Sequence, residues 1–344
     1  MNKTEQGVLQ QSKLARLLIH ILLLFSFFLI QPASAEIPES AKILPADAPP
    51  HEKNTQKHHV FIIYSPDSTL HSNIIQKLSG DLNLKRSDII ITKLTPDEKT
   101  KTVDNKTDIV IGIGSAGIQS ADKHYPNIKK LFISTAPNKY RLDRDKNKND
   151  AILYMTQSYC RQIEFIKLLN THWKTISILN TQKNPVDSSF IQQCANNYDI
   201  NIYTVNTTLE ENLTNKIKNA LSHSDVLLAL PDNNIYNSKT VKNILLTSYR
   251  HRKPVIAFSK NFVTAGALAS VHSNTEQIAQ NASKLIEQYF DSDKQFIKPI
   301  NHPDAFDINI NRQVFRALDL SIPDMDKLKQ SLQRPVQDNC VEPL

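Results

Sequence analysis

The sequence predicts an α/β protein built from two successive units, each a mostly parallel sheet flanked by helices. Short apolar runs alternate with segments of helical period from residue 60 to residue 332. The apolar runs are nearly continuous, which is typical of strands buried on both faces. Turn residues follow many of the runs, so strands and helices succeed one another as in a doubly wound sheet.

The first unit has the more regular alternation. The predicted strands are residues 60–64, 88–92, 108–113, 131–135 and 152–155, and the predicted helices are residues 68–82, 97–103 and 115–123. In the first helix, Leu70, Ile74, Ile75, Leu78 and Leu82 share one face, as expected for a helix packed on a sheet. A charged loop at residues 138–150 precedes the last strand.

The second unit repeats the pattern and ends in extra elements. The predicted strands are residues 175–179, 200–205, 225–230, 255–258, a strand ending at Val271, and 305–310. The predicted helices are residues 157–169, 187–197, 209–221, 236–250, 275–290, 312–318 and 324–332. Residues 259–261 are predicted to be a polar loop, and residues 333–344 a loose tail.

The first 35 residues have the pattern of a signal peptide. Lys13 and Arg16 precede an apolar stretch at residues 17–30, and Ala33-Ser34-Ala35 supplies the small residues of a cleavage site. We predict cleavage after Ala35 and export to the periplasm, followed by a linker at residues 36–57. An uncleaved inner-membrane anchor is the alternative.

The charge pattern does not indicate a nucleic-acid-binding protein. The formal net charge is +7, but the basic residues are scattered along the chain. The one dense basic group lies in residues 138–150 and is interrupted by Asp143 and Asp145, which is typical of a solvated loop.

Cysteine and histidine usage argues against a metal site. Cys160, Cys194 and Cys340 form no CxxC motif, and no pair of histidines has metal-ligand spacing. We therefore predict no metal and no cofactor. In an exported protein Cys160 and Cys194 could pair, because they lie on neighbouring predicted helices, or they could be buried free thiols.

Residues 112–117, GIGSAG, match a dinucleotide-binding fingerprint, but their context does not. The preceding strand is third in its unit, and no acidic residue follows the next strand to bind a ribose. Ser115 also lacks the glycine two residues earlier that a hydrolase nucleophile requires. The turn can still present backbone N–H groups to an anion, beside the Ser115 hydroxyl. A helix start that binds no ligand is the alternative.

Two polar loops follow neighbouring strands of the second unit. Asp232 and Asn233 come after the strand at 225–230, and Ser259 and Asn261 after the strand at 255–258. Ligands of open α/β sheets bind at the carboxyl ends of strands. Asp232 could pair with an ammonium group, or it could form a turn. Nearby aromatic residues could stack on a ligand or pack in the core; they are Tyr64, Tyr236 and Phe262.

Three segments carry a resemblance to a known family: DVLLALPDNNIYNS, YRHRKPVIAFSKNFVTAGALASVHSNTEQIAQNASKLI and INRQVFRALDLSIPD. In these segments the chain resembles the substrate-binding proteins of ABC importers, in the class that includes tryptophan/tyrosine-type binding proteins. The resemblance covers about residues 60–332 and is strongest from Gln157 onward.

The resemblance implies a type I periplasmic binding fold, in which two lobes joined by a hinge close on a small molecule. Lobe 1 would contain residues 58–155 and 266–297, and lobe 2 residues 156–265 and 298–332. It implies that the helix after Val271 returns to the first lobe and that residues 305–310 return to the second. The implied ligand contacts are Ser115, Ala116, Thr135, Asp232, Asn233, Ser259 and Asn261. The charged run at 138–150 departs from the family's loop at that place.

The predicted function is solute binding without catalysis. The protein would be a periplasmic monomer that delivers a small molecule, such as an amino acid, to an inner-membrane ABC permease, and it would meet the membrane only through that partner. A ligand sensor that signals to a membrane receptor or kinase is one alternative. An exported enzyme that uses the GIGSAG turn is the other.

Overall fold

The computed structural model describes residues 57–98, 107–134, 150–182, 185–208 and 211–333. These residues form two six-stranded sheets with helices on both faces, so the predicted two-lobed α/β fold is confirmed. The predicted signal peptide, most of the predicted helix at 97–103, most of the charged loop and the tail lie outside the described residues.

The first lobe is built on a sheet of strand order β11-β5-β4-β3-β1-β2. Its strands are β1 (His58–Ile63), β2 (Ile89–Leu94), β3 (Thr107–Ile113), β4 (Lys130–Ser134), β5 (Ala151–Tyr154) and β11 (Ile300–Asn301). Its helices are α1 (Thr69–Lys85), α2 (Gly114–His124) and α8 (Thr275–Asp291). Every neighbouring pair in this sheet is parallel, which agrees with the continuous apolar runs.

The second lobe is built on a sheet of order β12-β10-β9-β8-β6-β7. Its strands are β6 (Thr175–Thr181), β7 (Asn201–Thr207), β8 (Val226–Leu228), β9 (Val255–Ala257), β10 (Ala269–His272) and β12 (Asp307–Ile310). Its helices are α3 (Tyr159–Leu169), α4 (Ser188–Asn196), α5 (Leu213–Ser222), α6 (Val241–Arg250), α7 (Lys260–Ala265), α9 (Arg312–Ala317) and α10 (Met325–Leu332). Only the edge strand β12 is antiparallel to its neighbour.

Each sheet separates two apolar cores. In the first lobe, α1 and α8 cover one face and α2 the other. In the second lobe, α3, α4, α9 and α10 cover one face, and α5 and α6 the other. Because both faces of each sheet are buried, each lobe has its own complete core.

Three short crossover segments join the lobes, at residues 155–158, 273–274 and 302–306. We call these three segments the hinge. The first leaves the carboxyl end of β5 for the start of α3, and the second leaves the carboxyl end of β10 for the start of α8. Because both connections are so short, the carboxyl edges of the two sheets must face each other across the hinge.

The late elements return as the resemblance implied. Helix α8 packs in the first lobe, where the Tyr289 hydroxyl donates to the Asp108 carbonyl at 3.0 Å and Lys77 pairs with Glu276. Strand β12 pairs with β10 in the second sheet, with Ala269 opposite Ile310. Helix α8 therefore packs with the first sheet, and β12 with the second.

The sheets divide the chain differently from the predicted boundaries at two strands. The division gave residues 266–297 to the first lobe, but β10 pairs with β9 in the second sheet, since the chain crosses only after β10 ends. It gave residue 298 onward to the second lobe, but β11 pairs with β5 in the first sheet, where Ile300 is opposite Ile152. A strand of two residues is too short to show an apolar run or an alternation in the sequence.

Two local predictions near the carboxyl edge of the second sheet are wrong. The helix predicted at 236–250 begins only at Val241, because residues 232–240 form turns. The polar loop predicted at 259–261 is the start of α7, with Ser259 as its N-cap. A six-residue helix is too short for its apolar period to be recognised.

Cys160 on α3 and Cys194 on α4 form a disulfide, with their Cα atoms 4.8 Å apart. Both residues are buried in the second-lobe core. Of the two alternatives that the sequence left open, the structure therefore has the bonded one. No helix of the described residues has the length and apolar character that a membrane span requires.

Candidate functional site

The carboxyl edge of the first sheet is formed by the starts of two helices. The N-cap of α1 is Ser68, whose hydroxyl accepts from the His71 N–H at 3.3 Å. Helix α2 follows β3 directly, with Ile113 as its N-cap and no side chain capping its first turn. Its first backbone N–H groups therefore point toward the edge where the sequence predicted an anion-binding turn.

The glycines of the GIGSAG turn serve backbone geometry and close packing. Gly114 has φ of 68°, a conformation that favours glycine. A Cβ at Gly117 would lie 2.3 Å from the Ile63 carbonyl oxygen, so only glycine lets α2 approach β1 this closely. These two observations account for Gly114 and Gly117 without a nucleotide.

Replacing Gly117 by alanine should therefore push α2 away from β1. We expect the free energy of unfolding to fall by about 1–3 kcal/mol, the usual cost of overpacking. Urea denaturation followed by circular dichroism measures the change. Gly80 on α1 is the matched control, since a Cβ there meets nothing within 4 Å. Gly80→Ala should raise stability by about 0.5–1 kcal/mol, and equal effects of the two changes would contradict the packing argument.

His71 lies between these two helix starts. Its ring is so close to Gly114 that a Cβ there would lie 2.3 Å from the imidazole Cε1. Burial lowers the pKa of His71 below its ordinary value, so the ring is neutral at pH 7. Its Nδ1 is buried and has no hydrogen-bond partner among the described residues. No sequence motif indicated His71 as a site residue, because its spatial neighbour Gly114 is 43 positions away along the chain.

Asp232 lies at the carboxyl edge of the second sheet and is held by three donors. Its Oδ1 accepts from the Asn234 N–H at 2.8 Å and from the Asn234 side-chain amide at 2.9 Å, and its Oδ2 accepts from the Thr181 hydroxyl at 2.5 Å. Thr181 ends β6, so the carboxylate connects the ends of β6 and β8. The turn-forming alternative is thus realised. Of the roughly four acceptor positions on a carboxylate, about one is left for another donor.

An aromatic cluster lies beside Asp232. Tyr236, Phe258 and Phe262 have ring centroids between 5.1 and 6.2 Å apart. Tyr236 is only 4 % exposed, so it packs in the core and offers no face for a ligand to stack on. Burial first, and the nearby Asp232 charge second, raise the pKa of Tyr236 far above its ordinary value, so its hydroxyl is protonated.

A cavity of about 720 Å³ opens beside the hinge. It is lined from the second lobe by Ser259 and Asn261, from the first lobe by Leu70, and from the hinge by Ser273 and Asn274. Its volume is in the range of small-molecule sites. Its wall combines hydroxyl, amide and apolar side chains with the charged residues Lys260, Asp307, Asp326 and Lys329. Side chains from both lobes therefore meet around one opening.

The predicted site residues fall into separate groups. Ser259 and Asn261 share the cavity. Ser115 and the exposed Ala116 lie in the first turn of α2, and Asp232 and the exposed Asn233 follow β8, but none of these four lines the cavity. Thr135 lies outside the described residues.

The hinge and first-lobe side chains of the cavity were missed from the sequence. They are Leu70, Ser273, Asn274, Thr275 and Ile278. Only their positions in the sequence could have indicated them. Leu70 lies in the first turn of the helix after the first strand, and the others follow the predicted strand that ends at Val271.

Comparison with known proteins agrees with this architecture. A sequence model of the family described as ABC transporter substrate binding protein matches residues 97–331. That is more than half of the 344 residues. No curated protein sequence matches the chain.

Solved structures share the fold at low sequence identity. An ABC domain in complex with L-Trp from Streptococcus pneumonia has TM-score 0.56 and 17 % identity, over 80 % of this chain and 98 % of that one. The ligand-free, open CD0873 of Clostridium difficile, a substrate binding protein with adhesive properties, has TM-score 0.58 and 18 % identity, over 77 % and 96 %. A conserved domain protein from Vibrio cholerae has TM-score 0.55 and 17 % identity, over 80 % and 98 %.

The family match and the fold agree with the resemblance seen in the sequence. The family comprises solute-binding proteins and is not a family of enzymes. With its two lobes, three crossovers and type I periplasmic binding fold, the chain belongs to the ABC transporter substrate-binding protein family.

Proposed function

We propose that this protein is the periplasmic solute-binding component of an ABC importer and captures a small metabolite between its lobes. The facing carboxyl edges carry this proposal, together with the 720 Å³ cavity that side chains of both lobes line. Hinged lobes can close over a solute and shield it from water. The solute would then be delivered to an inner-membrane permease, and no chemical step is involved.

An amino acid or a similar metabolite with two charged ends fits the predicted residues. The first-turn amides of α2, with Ser115 and Ala116, would hold the carboxylate, since helix starts favour anions. Asp232 would accept from the ammonium group through its remaining acceptor position. Asn233, Ser259, Asn261 and Thr135 would supply further polar contacts.

Export supports the same function. The disulfide between Cys160 and Cys194 is typical of proteins that fold in an oxidising compartment. A signal peptide at residues 1–35 with cleavage after Ala35 would bring the protein there. We propose that it acts as a monomer and contacts the membrane through its permease.

A thermal-shift screen of the twenty L-amino acids and of small anionic metabolites tests the proposal. A solute at 100 times its dissociation constant should stabilise the folded state by about 2.7 kcal/mol. If none of these solutes raises the melting temperature, this ligand class is wrong.

Substitutions then test the named residues on the best solute. Asp232→Asn keeps the size of the side chain and acceptors for Asn234 but removes the charge, so it should weaken binding about tenfold or more while the protein still folds. Ser115→Ala should also weaken binding. Lys218→Ala, on the exposed outer side of α5, is the control and should leave the affinity unchanged. Unchanged affinity in both Asp232→Asn and Ser115→Ala would exclude the proposed roles.

A further inference from the structure

The three hinge segments are tied together by one buried side chain, that of Gln157. It lies in the first crossover and is 1 % exposed. Its Nε2 is 2.6 Å from the Ser273 hydroxyl in the second crossover, and 3.2 and 3.5 Å from the carbonyl oxygens of Pro303 and Ala305 in the third. The Ser273 hydroxyl donates in turn to the Ala305 carbonyl at 2.8 Å. All three crossovers therefore share one hydrogen-bond network.

Arg161, on the first turn of α3, completes this network. Its Nη1 donates to Gln157 Oε1 and to the Pro303 carbonyl, the latter at 3.3 Å, and its guanidinium lies 4.9 Å from the ring centre of Phe306. The Gln162 amide donates to the Gln157 carbonyl at 2.8 Å. We call Gln157 and Arg161 the hinge hub.

Two buried polar groups at the hinge lack hydrogen-bond partners among the described residues. They are the Nε of Arg161 and the hydroxyl of Thr156. Burial also lowers the pKa of the Arg161 guanidinium, although the Asp304 charge opposes this shift. Unpaired polar groups are unfavourable in a core, so an arrangement of the lobes that gave these two groups partners would be favoured.

We propose that Gln157 is a positioning residue for solute capture: it fixes the three crossovers to one another and thereby sets the resting angle between the lobes. Its importance for capture rests on the proposed function, but its effect on the interlobe angle does not. The amide is needed because it donates to carbonyls of the third crossover while its oxygen accepts from Arg161. With the crossovers tied, the lobes move about the hub as two rigid bodies rather than independently at each segment.

The distance between the lobes in the solute-free protein tests this role. Spin labels at Gln76→Cys on α1 and Lys218→Cys on α5, in a Cys340→Ser background with the native disulfide kept, report the distance distribution by double electron–electron resonance. Gln157→Leu removes the donor and the acceptor and should widen the distribution about 1.5-fold or more. Gln157→Glu keeps the length and the acceptor for Arg161 but cannot donate to Pro303 or Ala305, so it should act in the same direction.

Gln192→Leu on α4 is the matched control. It removes side-chain bonds of 2.8 Å to Asn196 Oδ1 and 3.2 Å to the Ile200 carbonyl, and one of 3.0 Å from the Ile202 N–H, all remote from the hinge. It should lower the melting temperature and leave the distribution unchanged. If Gln157→Leu does not fold, Ser273→Ala and Gln157→Glu decide the question.

The proposal would be overturned if every folded variant of Gln157 and Ser273 had an interlobe distance distribution with the mean and width of the parent. An equal widening in Gln192→Leu would also overturn it, because the effect would then reflect general destabilisation. If no solute binds the parent protein, the proposed function fails, and these distances still decide the role of Gln157.

Discussion

Replacing Cys160 and Cys194 together by alanine is expected to lower the free energy of unfolding by roughly 3–4 kcal/mol. The disulfide closes a loop with a sequence separation of 34, and cross-linking a loop of this length limits the unfolded chain by about that amount. It also joins α3 to α4 within the second-lobe core. Urea denaturation of the oxidised parent and the double variant, followed by circular dichroism, measures the difference.

Cys340→Ser is the control for this experiment. Cys340 lies outside the described residues, and its replacement should not change the urea midpoint. A double variant with the parental midpoint would show that the disulfide does not form in the purified protein. The support that the bond gives to export would then be lost.

Asp150→Ala is expected to cost about 3–5 kcal/mol of stability, because it leaves a buried charge without its partner. The Lys130 ammonium lies 3.4 Å from Asp150 Oδ2, and the side chains are only 4 % and 5 % exposed. Asp150 Oδ1 also accepts from the Lys130 N–H at 2.9 Å, which connects the start of β4 to the residue before β5. Without Asp150, the carbonyl of Pro126, 3.4 Å from the ammonium, is left as its acceptor.

A double variant distinguishes the charge from the packing. Lys130→Met with Asp150→Leu replaces both charges by apolar groups and should recover much of the loss. Lys174→Met removes one partner of the exposed pair with Asp199, which should leave the urea midpoint within error. Equal losses in the single and the double variant would mean that the ion pair is not the cause.

The fold was largely predictable because the central strands of both sheets are buried on both faces. The centres of β1 and β3 and the whole of β8 are continuous apolar runs, and their parallel pairing follows from that burial. The helix that became α8 was predicted at residues 275–290 and ends one residue later, since its apolar stripe spans the whole length. Strand β11, with two residues, and helix α7, with six, fell below the length at which periodicity is visible.

The site was less predictable because its contacts join distant parts of the chain. The sequence left Asp232 open between a ligand carboxylate and a turn, and the Thr181 hydroxyl that binds it is 51 positions away. Gln157 looked like an ordinary helix residue, and its partner Ser273 is 116 positions away. For the same reason, the sequence could not decide whether Cys160 and Cys194 pair, because it does not show whether their Cβ atoms meet.

The glycines of the GIGSAG turn show the opposite case, in which a sequence motif resembles a ligand site but has a packing explanation. Their spacing matched a nucleotide site, but the contact of Gly117 with the Ile63 carbonyl and the positive φ of Gly114 account for the residue type. Glycines are needed where another group must lie very close to the backbone, and that group can be a ligand or, as here, a neighbouring strand.

Small-angle X-ray scattering of the purified protein, with and without the solute that gives the largest thermal shift, tests most directly whether a solute is captured between the lobes. Closure of the lobes over a bound solute predicts a smaller radius of gyration at saturation. Saturable binding at an unchanged radius would place the solute outside the cleft and contradict capture by closure.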